Sequence, residues 1–208
     1  MPRKSKEEME ARRNEIIDAC EALYQSVSYH DITMTQVAER VSCGRANVYN
    51  YFQNKDEVLL ALLQREHELW AQDLATLANG AGLDDDQLAD RLAASVESRT
   101  QMLKLLAMNL YDIEQNSRPE RLTEFKVTYG RVIDALRLVL RACKPGWDES
   151  RIDRFVYCFM PFLHGAYPYA FHSEKQVAAM ESAGVPHPPL GVRSLVSELA
   201  LKLLQDDR

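Results

Sequence analysis

Apolar positions repeat at helical spacing along nearly the whole chain. Between residues 7 and 27, Ile16, Cys20, Leu23 and Val27 fall on one face, with Ile17 and Tyr24 beside them. Steps of three and four residues stack side chains on one side of an α-helix, so this stretch reads as an amphipathic helix. "SYHDIT" interrupts it. Thr33 is a suitable N-cap for a short helix from Met34 to Val41, with Val37, Ala38 and Val41 inward. "SCG" breaks that helix. A second short helix follows from Arg45 to Phe52, with Val48, Tyr49 and Phe52 on its inner side. Asn54 and Glu57 stand three residues apart, as in a capping box, and open a long helix. Its apolar stripe contains Leu59, Leu62, Leu63, Trp70, Leu74 and Leu77, with Glu66 among them.

"NGAGLDDD" ends the long helix, with glycines to stop it and aspartates to start the next. Further helices are expected over about 85–98, 100–116, 119–143, 149–172 and 191–206, with a short additional one at 173–182. Pro119 suits a first helical turn, and Asp148 suits a cap. In "MPFLHGAYPYAF", Pro161 removes a helical hydrogen bond and Gly165 and Pro168 loosen the next turns, which predicts a broken helix there. No sustained apolar–polar alternation marks a strand. The expected fold is all-α: an N-terminal three-helix domain over 1–54 and a larger helical bundle over 55–208, about nine to ten helices in all.

Composition narrows the function. The 208 residues are 46% apolar and 27% charged, which is ordinary for a chain with a substantial core. Cysteines 20, 43, 143 and 158 form no CxxC and no zinc-like spacing with histidine, so reduced thiols and a cytoplasmic location are expected. The first residues are charged throughout, with no apolar signal core, and no run is long enough to span a membrane. Histidines 30, 67, 164, 172 and 187 are scattered, and neither HExxH nor a Gly-rich phosphate loop occurs. Hence no catalytic residue, metal site or cofactor is expected, and the chain is not read as an enzyme. An enzyme on a helical bundle, or a protein-interaction module, stands as the competing reading.

The net charge is −6, yet residues 1–55 balance eight Lys/Arg against eight Asp/Glu, and Arg40 to Lys55 hold three cations and no acid. A basic, acid-free edge on an acidic body suits an approach to nucleic acid. Three short helices, the last two joined by a three-residue turn, are the layout of a helix-turn-helix. That layout holds one short helix proud of the surface, where it fits the major groove.

"TMTQVAERVSCGRANVYNYFQNKDEVLLALL" resembles the DNA-binding segment of the TetR family of one-component transcriptional repressors. Thr33, Val37, Ala38, Arg45, Val48, Tyr49, Tyr51, Phe52, Lys55 and Leu59 fall at the pattern positions, and the resemblance covers about residues 8–65. The turn departs from the pattern: Ser42, Cys43 and Gly44 stand where Gly, a small apolar residue and Ser are usual. A left-handed backbone at Ser42 is therefore expected, at about 1 kcal/mol, along with a weaker cap at Gly44.

The exposed residues divide into positioning and readout roles. Thr33, Tyr49, Tyr51 and Lys55 are the expected phosphate contacts. Arg45 and Asn47 are the base readers, since Arg suits guanine and Asn adenine. Thr35 and Asn50 serve either role, and Ala46 lies among them. Arg3, Lys4 and Lys6 add a cationic arm. Val48 and Phe52 hold the helix to its module.

The resemblance implies three partners: double-stranded operator DNA, a second copy of the chain, and a small-molecule effector bound in the C-terminal bundle. It implies a palindromic operator and release on ligand binding. Candidate effector-pocket residues are Leu106, Asn109, Leu110, Ile113, Phe125, Tyr129, Phe159, Phe162, His164 and Tyr167, an apolar set with a few polar groups. Candidate dimer contacts on the last two long helices are Phe155, Phe159, Leu195, Leu199 and Leu203.

Overall fold

The computed structural model describes residues 5–42, 44–80 and 82–205; the side chain of Leu110 lies outside the described set, as do Arg3, Lys4 and Cys43. Among the described residues the chain is all-helical. The α-helices are α1 (Lys6–Ser26), α2 (Met34–Ala38), α3 (Arg45–Val48), α4 (Lys55–Ala78), α5 (Asp85–Glu97), α6 (Thr100–Met108), α7 (Pro119–Cys143), α8 (Glu149–Ala170), α9 (Glu174–Ala183) and α10 (Val192–Gln205). A 3₁₀ turn spans Tyr29–Asp31 and a π-helical turn spans Asn109–Ile113. No described helix is long and apolar enough to cross a membrane.

By internal packing the chain forms two compact units. Unit 1 is Met1–Arg65 with Met108–Val127, and unit 2 is Glu66–Ala107 with Thr128–Arg208. Helices α4 and α7 contribute residues to both.

In unit 1, α1 starts at a full capping box between Ser5 and Glu8 and buries Ile16, Ile17, Cys20, Leu23 and Tyr24. Fully burying side chains such as Ile16 or Leu23 is worth roughly 1.5–3 kcal/mol each. Burial pushes the Cys20 thiol up to about 12, so it is an inert core group. The start of α4 is closed differently from the expected capping box. Asn54 Oδ1 accepts the Glu57 amide at 2.9 Å, as foreseen. The Glu57 carboxylate instead accepts the Gln53 amide at 2.8 Å and, from Arg118, the Nε and Nη2 N–H groups of one guanidinium edge. Asn54 Nδ2 donates to the Asn116 carbonyl at 2.8 Å. The segment leading into α7 is thereby stitched to the head of α4.

The helix expected over 100–116 is α6 followed by the π turn. The Glu114 amide reaches the Asn109 carbonyl at 2.9 Å, five residues back. Asn109 Nδ2 donates to Glu114 Oε1 at 2.6 Å, and Lys126 Nζ donates to the same oxygen at 2.8 Å. A carboxylate can only accept, so Glu114 fixes which way the Asn109 amide points.

In unit 2, Trp70 is fully buried on α4 and donates its indole N–H to Ser95 of α5 at 3.0 Å. Arg99 ties Asp73 of α4 to the start of α6. Arg137 of α7 joins Asp153 of α8 at 2.7 Å, and Arg193 of α10 forks onto Asp90 of α5. Helix α10 packs on α5 and α8. The break expected at Pro161 is absent: α8 is continuous through Pro161 and Pro168. Both prolines lie on its exposed side. The carbonyls they leave free, of Tyr157 and His164, lose only a helical donor, and on the wetter face water can supply another.

Burial alone would push the Glu57 carboxyl up. The Arg118 side chain, with the Gln53 and Arg118 amides, outweighs this and holds it below its ordinary value. A depressed folded pKa gives stability that is complete above the ordinary carboxylate value of about 4.3 and is lost as pH falls through the folded value. Arg118→Ala should cost about 3 kcal/mol, the low end for breaking a buried pair, because Arg118 keeps some solvent access. Glu57→Gln should cost less and flatten the acid limb of the stability profile, read by urea unfolding between neutral pH and pH 3.

Candidate nucleic-acid interface

The helix-turn-helix is built around three side chains that see no solvent: Val37 of α2, Val48 of α3, and Phe52 just beyond α3. Helix α1 packs on α2, and α2 on α3. Helix α3 is shorter than the expected Arg45–Phe52. Its continuation tightens, with Asn50 bonding Asn47 and Tyr51 bonding Val48 in three-residue steps. The Phe52 ring lies 5.8 Å from the Arg13 guanidinium of α1 and 5.8 Å from that of Arg121 on α7. Arg121 also donates to the Tyr51 carbonyl at 3.1 Å. Two elements thus pin the end of the recognition segment.

The opposite side of that segment faces water. Arg45, Ala46 and Asn50 are exposed, Tyr49 is 41% exposed, and Asn47 and Tyr51 are half-buried. Arg45 makes no ion pair among the described residues. Asn50 Nδ2 donates to Asn47 Oδ1 at 3.3 Å, so these two amides present themselves together.

Two expected phosphate contacts have internal work in this structure. Thr33 is the N-cap of α2: its hydroxyl accepts the Gln36 amide at 3.3 Å and donates to Gln36 Oε1 at 3.0 Å. Lys55 turns inward, donating to the Tyr29 carbonyl at 2.7 Å with its ammonium 4.3 Å from the Tyr29 ring. Tyr29 in turn donates to the buried Asp56 at 2.6 Å. Thr35 is half-buried on α2, and Lys6 is exposed at the start of α1.

The turn corrects an expectation. Among the described residues no non-glycine has a left-handed backbone, so Ser42 does not adopt the one its position implied. Glu15 of α1 supplies the reason. Its carboxylate accepts the Ser42 amide and the Ser42 hydroxyl, and Arg12 donates to that hydroxyl as well. The Ser42 amide bond, then its side-chain bond, holds the Glu15 carboxyl below its ordinary value. Gly44 is the N-cap of α3 and supplies no side-chain bond, as expected. Glu15, Arg118 and Arg121 are the residues that sequence reasoning missed here.

Family models match the chain at both ends: one described as "Bacterial regulatory proteins, tetR family" over residues 16–62, the other as "Tetracyclin repressor-like, C-terminal domain" over 64–205. The chain belongs to the TetR family. It is a TetR-family transcriptional regulator with an N-terminal DNA-binding domain. The HTH-type transcriptional regulator HbdR of Aromatoleum sp. (strain CIB) is 23% identical over 153 residues, 73% of this chain and 66% of that protein. The HTH-type transcriptional regulator TtgR of Pseudomonas putida is 35% identical over 68 residues, 33% of this chain and 32% of that one. The match thus spans less than two thirds of either relative. In fold, the fatty acid degradation regulator FadR of Bacillus halodurans aligns with a TM-score of 0.59 at 17% identity, covering 100% of this chain and 99% of that one.

Other TetR-type expectations land less evenly. Of the candidate effector residues, Asn109, Ile113 and Phe125 are buried in unit 1, where Asn109 Oδ1 has no hydrogen-bond partner among the described residues. Leu106 and Phe159 are buried in unit 2, with Tyr129, Phe162, His164 and Tyr167 half-buried there. His164 Nδ1 lies 3.1 Å from the Leu106 carbonyl, and burial pushes the Tyr167 hydroxyl up. Two open clefts of unit 2, of about 500 and 590 Å³, are lined by other residues, among them Leu77, Leu83 and Arg91 in the first and Ala71, Arg131 and Leu138 in the second.

Of the candidate dimer contacts, Leu195, Leu199 and Leu203 form a half-exposed stripe on α10. Phe155 and Phe159 do not face outward: they stack on one another at 5.5 Å inside the subunit. Their period puts them on the inner face of α8. Its outer face carries Tyr157, Cys158, Pro161, Gly165 and Tyr169.

Glu15→Ala should leave the Ser42 amide without its protein acceptor. A stability loss of about 1 kcal/mol is expected, with weaker duplex binding from a looser turn. Thermal unfolding and fluorescence anisotropy on the same variant read both effects.

Proposed function

We propose that this regulator is a repressor that binds a palindromic operator as a homodimer and leaves it when a small molecule binds the C-terminal part. The observation that carries the DNA reading is the acid-free surface of the exposed Arg45, Ala46, Tyr49 and Asn50 with the half-buried Asn47, in which Arg45 has no ion pair among the described residues. A guanidinium in that state is available for a bidentate contact to guanine, and the paired Asn47 and Asn50 amides for adenine. Tyr49 and Tyr51 contribute hydroxyls toward phosphate. Thr33, Thr35 and Lys55 act mainly by shaping the module, and Lys55 reaches a phosphate only by giving up the Tyr29 carbonyl. Residues 1–54 carry the DNA contacts, and 55–208 the sensing and assembly.

One such module makes a small interface, and two half-sites about 34–36 Å apart call for a two-fold pair. The pair is formed by the outer face of α8 and the Leu195, Leu199 and Leu203 stripe of α10. An effector with an apolar body and a few polar groups is taken up near Tyr129, Phe162, His164 and Tyr167.

The test is anisotropy titration of the DNA upstream of the protein's own gene at several salt concentrations. Wild type should favour a palindrome there, with log affinity falling steeply and linearly with log salt. Arg45→Ala should cost about 1–3 kcal/mol and relax sequence preference, whereas Tyr51→Ala should weaken all duplexes alike. Tyr111→Ala, at the most exposed large apolar side chain among the described residues, should change nothing. Equal affinity for any duplex would contradict the operator reading.

A further inference from the structure

Unit 2 carries an open cleft of about 500 Å³, walled by the C-terminal half of α4, the connection that follows it and α5. Its size suits a small organic molecule. Leu77, Leu83 and Ala94 line it, and each is only half-covered, so its apolar floor is left partly wet. An apolar body seated there takes that surface out of water. The polar groups around the floor decide what else such a body must carry.

Arg91 lines the cleft, is exposed, and has no ion pair among the described residues. The positions one turn away on α5, Gln87, Leu88, Ala94 and Ser95, hold no acid that could pair with it. Asp73 on the cleft wall and Asp90 next to Arg91 are engaged elsewhere. Asp73 Oδ2 accepts Nε of Arg99 at 3.0 Å and its Nη2 as well, and Asp90 holds Arg193 through two bonds. The charge left for a ligand is therefore positive. The hydroxyls are different. Thr76 donates to the Gln72 carbonyl at 3.0 Å and Ser98 to that of Ser95 at 2.9 Å. Ser95 donates to the Leu92 carbonyl at 2.7 Å and accepts the Trp70 indole N–H at 3.0 Å. A hydroxyl whose proton is committed offers only lone pairs. Thr76 and Ser98 thus suit a donor and disfavour a carboxylate.

We propose that the cleft between α4 and α5 binds a small amphipathic acid. Its carboxylate sits on Arg91, its apolar body on Leu77, Leu83 and Ala94, and a hydroxyl or N–H donor meets Ser98 or Thr76. The Arg91 guanidinium offers a planar fork that a carboxylate can take with both oxygens. Arg91 and Ser98 stand seven residues apart, about 10 Å along a helix axis, which is close to the length of an aromatic acid with a hydroxyl at its far end. The cleft shares no lining residue with the effector region near Tyr129, Phe162, His164 and Tyr167, so the two readings stand or fall separately.

The test is an NMR titration of the full chain with para-hydroxyphenylpropionate, read at backbone amides and methyl groups. Saturable shifts are expected at Leu77, Leu83, Ala94 and Ser98. Arg91→Gln, at an exposed side chain whose loss leaves the fold intact, should weaken binding about tenfold or more. Phenylpropionate, which lacks the hydroxyl, should bind about threefold more weakly or worse. Tyramine, with an ammonium in place of the carboxylate, should not shift these residues. The absence of saturable shifts at the cleft overturns the proposal, as does undiminished binding by Arg91→Gln or tyramine binding as well as the acid. Phenylpropionate binding equally well overturns the donor at Ser98 or Thr76. Shifts centred instead on Tyr129, Phe162, His164 and Tyr167 overturn the cleft and leave the effector region standing.

Discussion

Glu57 sits at the head of α4 with its carboxylate out of water and its charge retained. A buried charge is tolerable only when its lone pairs are met, and here they are met from two segments sixty residues apart. Gln53 supplies an amide from the near side; Arg118 supplies an amide and a forked guanidinium from the far side. The segment from the π turn to the first turns of α7 is therefore an integral part of unit 1. Arg121 follows within one turn, reaches the Tyr51 carbonyl and flanks Phe52. With Phe52 and Val48 held inward, helical geometry leaves Arg45, Ala46 and Asn50 outward. The outward placement of Arg45, Ala46 and Asn50 is thus tied, contact by contact, to one satisfied buried acid.

The same logic operates at the turn. Ser42 stands where a glycine is usual, and the turn avoids a left-handed residue there because Glu15 accepts the Ser42 amide and hydroxyl. A side-chain acceptor from α1 has taken over what backbone freedom would otherwise supply. Lys55 and Thr33 behave alike: residues that read as phosphate contacts are partly spent on capping and on the Tyr29 carbonyl. Around α3, polar groups that read as ligand contacts hold the local geometry.

These features set what could be read in advance. Helix existence was legible, because three-to-four spacing of apolar residues and capping residues such as Thr33, Asp84 and Asp148 are local signals. The inward placement of Val37, Val48 and Phe52 was legible for the same reason, but Tyr49, expected on the same inner side, is 41% exposed because it falls on the turn that closes α3. Glu15, Arg118 and Arg121 were not, since their partners lie 27, 61 and 70 residues away and nothing local marks the pairing. The prolines of α8 misled because α8 runs on through both; they face outward, where water can meet the carbonyls they leave free. Phe155 and Phe159, read as dimer contacts, lie on the buried face of α8 and stack on one another. A helix with apolar residues on both its buried and its exposed sides, as α8 has in Phe155 and Tyr157, does not show in sequence which of them face the core.

The central claim is that the outward side of Arg45–Tyr51 is the surface that meets DNA. The most direct test is an amide NMR titration of the full chain with a palindromic duplex that it binds. The account predicts shifts concentrated at Arg45, Ala46, Asn47, Tyr49 and Asn50, with smaller ones at Thr33 and Lys55 and little change at Ile16 or Phe52. Perturbations centred elsewhere, with Arg45–Tyr51 unmoved at saturation, would contradict it.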